Sequence, residues 1–196
     1  NYYICDDKEY YKMQTEGDMS PSSNISGFTA QFPAISIEPY DTLTIVFHDD
    51  YRDFYGEKFI ADLVMFGSSD SSLTGSIGFG NNKLSESSGL IILFKWDVTN
   101  NPLIEDVDYF VWSTLGGITN VVDKTGIGDY LEDTSLDNQF YFTEEADQYY
   151  AYSRIGTDEI SEKTGVLDTH GNGISGHDET SENFRESWER KKIDVA

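Results

Sequence analysis

Leu90-Ile-Ile-Leu-Phe94-Lys-Trp96 is the stretch that most constrains the fold. An apolar run this short, rich in β-branched and aromatic residues and followed by the turn-forming Asp97–Pro102, suits a fully buried strand better than a helix. Asp106–Trp112 resumes a strand pattern just beyond. The two segments are therefore expected to pair as a hairpin joined through Val98–Leu103.

Other segments read the same way. Tyr2–Cys5 is expected as a short strand with Tyr10–Met13 as its hairpin partner. Phe28–Phe32, Ile35–Ile37, Leu43–His48, Leu73–Phe79 and Tyr149–Ile155 follow as further strands. Thr15–Ser26 is polar and turn-rich, so it is a loop, and Asp49–Lys58 has room for a short helix before Gly56. Asp123–Asp147 is acidic and turn-rich, and Trp188 and Ile193 anchor the end of the chain. Many short strands and few helices point to one all-β domain over residues 1–196, a β-sandwich with a loop-rich C-terminal part.

The formal net charge of −23 excludes broad classes of partner. A field of that sign repels phosphate backbones and anionic lipid, so nucleic acid is not an expected partner. Arg190-Lys191-Lys192 is the sole basic cluster. No apolar run is long enough to insert in a membrane, and the single cysteine, Cys5, rules out an intrachain disulfide. Tyr10, Tyr11, Tyr51, Phe54, Tyr55, Tyr130, Tyr149 and Tyr150 crowd turn regions, where exposed rings would stack on a glycan or anchor a protein partner.

The chemistry-bearing residues gather late, in Asp168-Thr-His-Gly-Asn-Gly-Ile-Ser-Gly-His177-Asp-Glu-Thr-Ser-Glu182. Asp168, Asn172 and Glu179, with Gly173 between them, nearly follow the spacing of a calcium loop: oxygens at alternate positions, a glycine turn and a closing glutamate. Asp178 adds a further carboxylate, so the expected metal set is Asp168, Asn172, Asp178 and Glu179, with calcium as the ion. His170 interrupts the pattern, because imidazole suits a hard cation poorly. The competing reading is structural. Gly171, Gly173, Gly176 and His177 then form a packed loop, and Asp178 or Thr180 caps a turn running from Ser181 to Trp188, with Phe184 and Trp188 on one face. A metal-dependent hydrolase is the alternative from another class. It would draw on His48, Asp49, Asp50, His170, His177 and Asp178. No Gly-x-Ser-x-Gly elbow supports a serine nucleophile.

Gly171–Glu182, followed by Asn183-Phe184 and Trp188, resembles the C-terminal segment of bacterial lamin-tail-type domains. The order of Asn1–Ile4, Ile37-Glu-Pro39 before Leu43–Val46, and the Leu90–Trp112 hairpin is similar to that family too. The resemblance implies an immunoglobulin-like β-sandwich in an exported or cell-surface protein, with any export signal upstream of Asn1. It also implies a non-catalytic module binding a protein or glycan. The family's opening strand has no counterpart before Asn1, so strand pairing with another chain or with a preceding segment is expected.

Overall fold

The computed structural model describes residues 1–13, 27–48, 50–56, 59–65, 72–78, 84–97, 99–117, 119–145, 149–164 and 171–193. The expected loop Thr15–Ser26, together with Asp49, Asp168 and His170, lies outside them. Within the described residues the strands are β1 (Tyr2–Cys5), β2 (Phe28–Gln31), β3 (Ile45–Val46), β4 (Leu63–Val64), β5 (Thr74–Gly78), β6 (Ser88–Asp97), β7 (Asn101–Ser113), β8 (Tyr150–Arg154) and β9 (Trp188–Lys192). Among the described residues, the helices are α1 (Tyr51–Tyr55), α2 (Phe184–Ser187) and single 3-10 turns at Tyr10–Lys12, Leu136–Asn138, Ile174–Gly176 and Glu179–Ser181. The domain is all-β.

The β6–β7 hairpin forms as the sequence suggests, with Ser88 opposite Ser113 and Asp97 opposite Asn101. Its turn is held by Asp97, whose Oδ1 accepts from the Thr99 and Asn100 amides at 3.0 and 3.3 Å. The hairpin is one flank of an antiparallel five-stranded sheet ordered β5-β2-β1-β6-β7. β8 and β9 form a separate antiparallel pair, and β3 and β4 a short parallel one.

Both sheet faces are covered, but unequally. Leu90, Ile92, Phe94 and Trp96 point into the main core with Tyr3, Tyr10, Val111, Trp112 and Phe184. Ile91 and Ile4 face a smaller cluster of Phe28, Ala30, Leu63, Met65 and Leu73. β6 therefore alternates between buried and half-buried residues and is not the uniformly buried strand its apolar run suggests. The short β3–β4 pair covers only part of the second face.

Other expectations change for local reasons. Tyr10–Met13 is not a strand. Both edges of β1 are already taken by β2 and β6, so the segment coils into a 3-10 turn and drops Tyr10, Tyr11 and Met13 into the core. Ile35–Ile37 carries no strand, and both isoleucines are exposed. Pro33 and Pro39 flank it, the Ile35 amide turns back onto the Pro33 carbonyl, and a proline can donate nothing to a ladder. Leu43–His48 shrinks to the two residues of β3. Among the described residues, no helix is long and apolar enough to cross a membrane.

Candidate metal centre

The glycine-rich stretch is ordered by backbone hydrogen bonds from distant residues. The Asp106 amide on β7 donates to the Asn172 carbonyl, and the Gly173 amide to the His177 carbonyl. The Asp178 amide donates to the Lys163 carbonyl, the Lys163 amide to Ser181 Oγ, and the Asn183 amide to the Ile160 carbonyl. These bonds zip residues 177–183 against residues 160–163. Gly173 is required by closeness: a Cβ there would stand 2.7 Å from the His177 carbonyl oxygen and 3.0 Å from Glu179 Oε1.

This zipper draws carboxylates together. Asp108 comes from β7, Glu159 and Glu162 from the loop after β8, and Glu179 and Glu182 from the glycine-rich stretch. Ligand atoms of Asp108, Glu159 and Glu179 all lie within 4.8 Å of one another, and so do those of Glu159, Glu162 and His177. Glu159 belongs to both groups, so the two are continuous. One guanidinium serves three of the five: Arg154 reaches Asp108 at 2.7 Å, Glu182 at 2.8 Å and Glu159 at 3.4 Å, and lies over the Trp188 ring.

Glu179 is the anomalous member. Its residue is only 5% exposed. Among the described residues no cation and no N–H donor reaches its carboxylate, whose polar neighbours are other carboxyls. Burial, then the charges of Glu162, Glu159, Asp106 and Asp108, hold its carboxyl well above the ordinary glutamate range. Glu162 is raised too, by burial first and then by Glu159, and it shares a hydrogen bond with Glu179 that needs a proton on one of the two. Burial pushes Glu182 up to about 7 against the opposing pull of Arg154. Carboxylates crowded in this way are stabilised either by protons or by a cation.

The expected ligands divide. Glu179 lies in the cluster. Asp178 does not: its carboxylate accepts from Thr134 Oγ1 at 2.7 Å, Thr180 Oγ1 at 2.6 Å and Lys163 Nζ at 3.2 Å, which makes it a strut between loops. Asn172 is a second strut, bonded to both backbone groups of Leu131 and to Asp133. Of the structural-loop residues, Gly171, Gly173, Gly176, Thr180 and Ser181 are buried and packed. His177 is half-exposed and meets Glu162 through Nδ1 at 3.2 Å. The cap of the following helix is neither Asp178 nor Thr180. Asn183 accepts from the Arg185 amide in that place, and Phe184 and Trp188 both pack on Phe110. His48 belongs to neither carboxylate group.

Half of the rings expected at the surface belong to the core, and Tyr150 is half-buried. Tyr10, Tyr11, Tyr51 and Tyr130 are buried, while Tyr55 and Tyr149 are exposed. The Phe54 side chain lies outside the described residues. Two of the buried rings, Tyr10 and Tyr130, serve a second polar cluster around Lys124, which is 0% exposed. Lys124 Nζ donates to Asp106 Oδ2, Tyr10 O–H donates to Asp106 Oδ1, and Asp133 Oδ1 lies 3.7 Å from Nζ. The Tyr10 and Tyr130 rings flank the amine.

Sequence reading missed Glu159, Glu162, Arg154, Lys124, Asp106 and Asp133. One signal was available: Asp106 follows Ile104 in the inward phase of a strand, where an apolar residue belongs. Comparison with protein-family models, with curated proteins and with solved structures finds no match.

Proposed function

We propose that this chain is a non-catalytic β-domain of an exported or cell-surface protein, held together by a divalent cation at Asp108, Glu159 and Glu179 and presenting its surface to a protein or glycan partner. The observation that carries the reading is Glu179: a buried carboxyl that, among the described residues, meets no cation and no N–H donor and faces other carboxyls. An all-oxygen set of this kind suits a hard ion, and calcium is abundant where weak extracellular calcium modules work. The likeness of Gly171–Glu182 to lamin-tail-type domains supports the same reading, and on that likeness we propose an immunoglobulin-like arrangement of the sheets. The burial of Tyr10, Tyr11, Tyr51 and Tyr130 favours a structural task for these rings over an aromatic binding face.

The test is a thermal melt in chelator, repeated with calcium and then zinc added back. A cation at a hundredfold excess over its Kd stabilises by about 2.7 kcal/mol, or roughly 5–11 °C for a domain of this size. A calcium-dependent rise of that order that disappears in Glu179→Ala is expected. No rise with either ion sinks the cation reading. A rise with zinc alone would move the site to Glu159, Glu162 and His177 and favour the hydrolase alternative.

A further inference from the structure

The Lys124 cluster shares no residue with the proposed cation ligands, although Asp106 lies close enough for its charge to act on Glu179. An ammonium has three donors. Among the described residues Lys124 Nζ uses one, on Asp106 Oδ2. Asp133 Oδ1 at 3.7 Å is beyond hydrogen-bond range, and the remaining neighbours are the faces of Tyr10 and Tyr130. An amide nitrogen, with a single N–H, fits that surrounding better than an ammonium does. Asp106 is matched in the same sense. Its Oδ1 takes one hydroxyl, from Tyr10, as a carbonyl oxygen would.

We infer that Lys124 and Asp106 condense inside the folded domain into an amide between Nζ and Cγ, with Asp133 carrying protons, so that the chain forms its own covalent cross-link. The fold supplies what the reaction needs. The amine is held in contact with one oxygen of the carboxyl it would attack, so the two groups are already brought together and most of the entropic cost of joining them is met by folding. The site is closed to water, and the tyrosine hydroxyl stands ready to bond the oxygen that gains charge.

The step balances without a co-reactant. The shared proton passes from Nζ to Oδ2, leaving a neutral amine and a carboxylic acid. Nζ attacks Cγ, and the N–C bond forms while Tyr10 holds Oδ1. Asp133 takes a proton from Nζ and returns it to Oδ2. The Cγ–Oδ2 bond then breaks and one water leaves. Nothing is oxidised or reduced.

The cross-link would close the segment from Asp106 to Lys124, which includes the core residues Tyr109–Trp112. In a chain with Cys5 as its one cysteine, it would fill the place of a disulfide, constraining the unfolded state in the same way.

The test is the intact mass of the denatured wild-type protein, followed by tryptic peptide mapping. The expected result is a mass lower than the sequence value by one water, no cleavage after Lys124, and one branched peptide joining the Asp106 and Lys124 segments. Lys124→Met is expected at its full sequence mass, and so is Asp133→Ala, with folding checked by circular dichroism. A wild-type mass equal to that of the sequence, with Lys124 recovered in a linear peptide, overturns the inference. So does a lost water without a branched peptide, as a succinimide would give. A folded Asp133→Ala protein that still lacks one water would overturn the role assigned to Asp133.

Discussion

Replacing Glu179 by glutamine isolates the charge that distinguishes the carboxylate cluster. The amide keeps the shape of the protonated acid and can still donate to Glu162. In the unfolded chain a glutamate titrates at about 4.3. In the folded chain Glu179 keeps its proton to much higher pH, because burial and the carboxylates of Glu162, Glu159 and Asp108 oppose its charge. Between those two values the native state holds one more proton than the unfolded state, so stability falls as pH rises. The favourable contribution is complete below the unfolded value and is lost as pH climbs toward the folded one. One proton corresponds to about 1.4 kcal/mol per pH unit, hence about 2.7 kcal/mol between pH 5 and pH 7.

In chelator, Glu179→Gln is therefore expected to be about 2–3 kcal/mol more stable than wild type at pH 7, and close to it near pH 4. Its stability should also fall less steeply with pH. Glu162 and Glu182 keep their own raised affinities for protons, so some slope remains. Urea unfolding followed by tryptophan fluorescence measures this without screening the charges, as guanidinium would. Calcium should lift the wild type at pH 7 and leave the variant nearly unmoved, because the amide supplies no anionic ligand. A variant no more stable than wild type in chelator at pH 7, with an unchanged slope, would show that Glu179 carries no buried-charge cost. The reasoning behind the cation site would then fail.

Two further substitutions probe the scaffold. Phe184, fully buried between Tyr109 and Phe110, should cost about 3–5 kcal/mol when cut to alanine, read as a lower urea midpoint at unchanged slope. Gly89→Ala should cost about 1–3 kcal/mol, because its Cβ would stand 2.3 Å from Trp112, whose indole is pinned by a 2.9 Å bond to the Ser85 carbonyl. A shifted tryptophan emission in the folded Gly89→Ala protein would locate that clash, and an unchanged stability would refute it.

The strands that sequence reading recovers are those whose reason is local. Leu90–Trp96 and Asp106–Trp112 carry enough apolar, β-forming residues to pair across a turn that Asp97 closes by itself. Tyr10–Met13 carries the same kind of pattern and coils, because whether a segment becomes a strand depends on a free sheet edge, and β1 has none left. The tyrosines show the same limit: Tyr10 and Tyr130 look like surface rings beside polar neighbours, until their hydroxyls are seen to meet Asp106 and the Ile104 amide inside the core.

The site is harder still to read, since no spacing along the chain encodes it. Asp168–Glu179 imitates a calcium loop because its oxygens alternate, yet Asn172 spends its oxygen on the Leu131 amide and Asp178 spends its own on Thr134, Thr180 and Lys163. Of that set, Glu179 is the one described residue left facing other carboxylates, and its companions come from residues 108, 159 and 162. What joins them is the zipper from 160–163 to 177–183, whose two amide-to-carbonyl bonds are blind to side-chain identity. The glycines were the legible trace of it. Gly173 is needed because the chain passes against the His177 carbonyl and against Glu179 itself, so the residue that marks the loop in sequence also makes room for the carboxylate on which the cation reading turns.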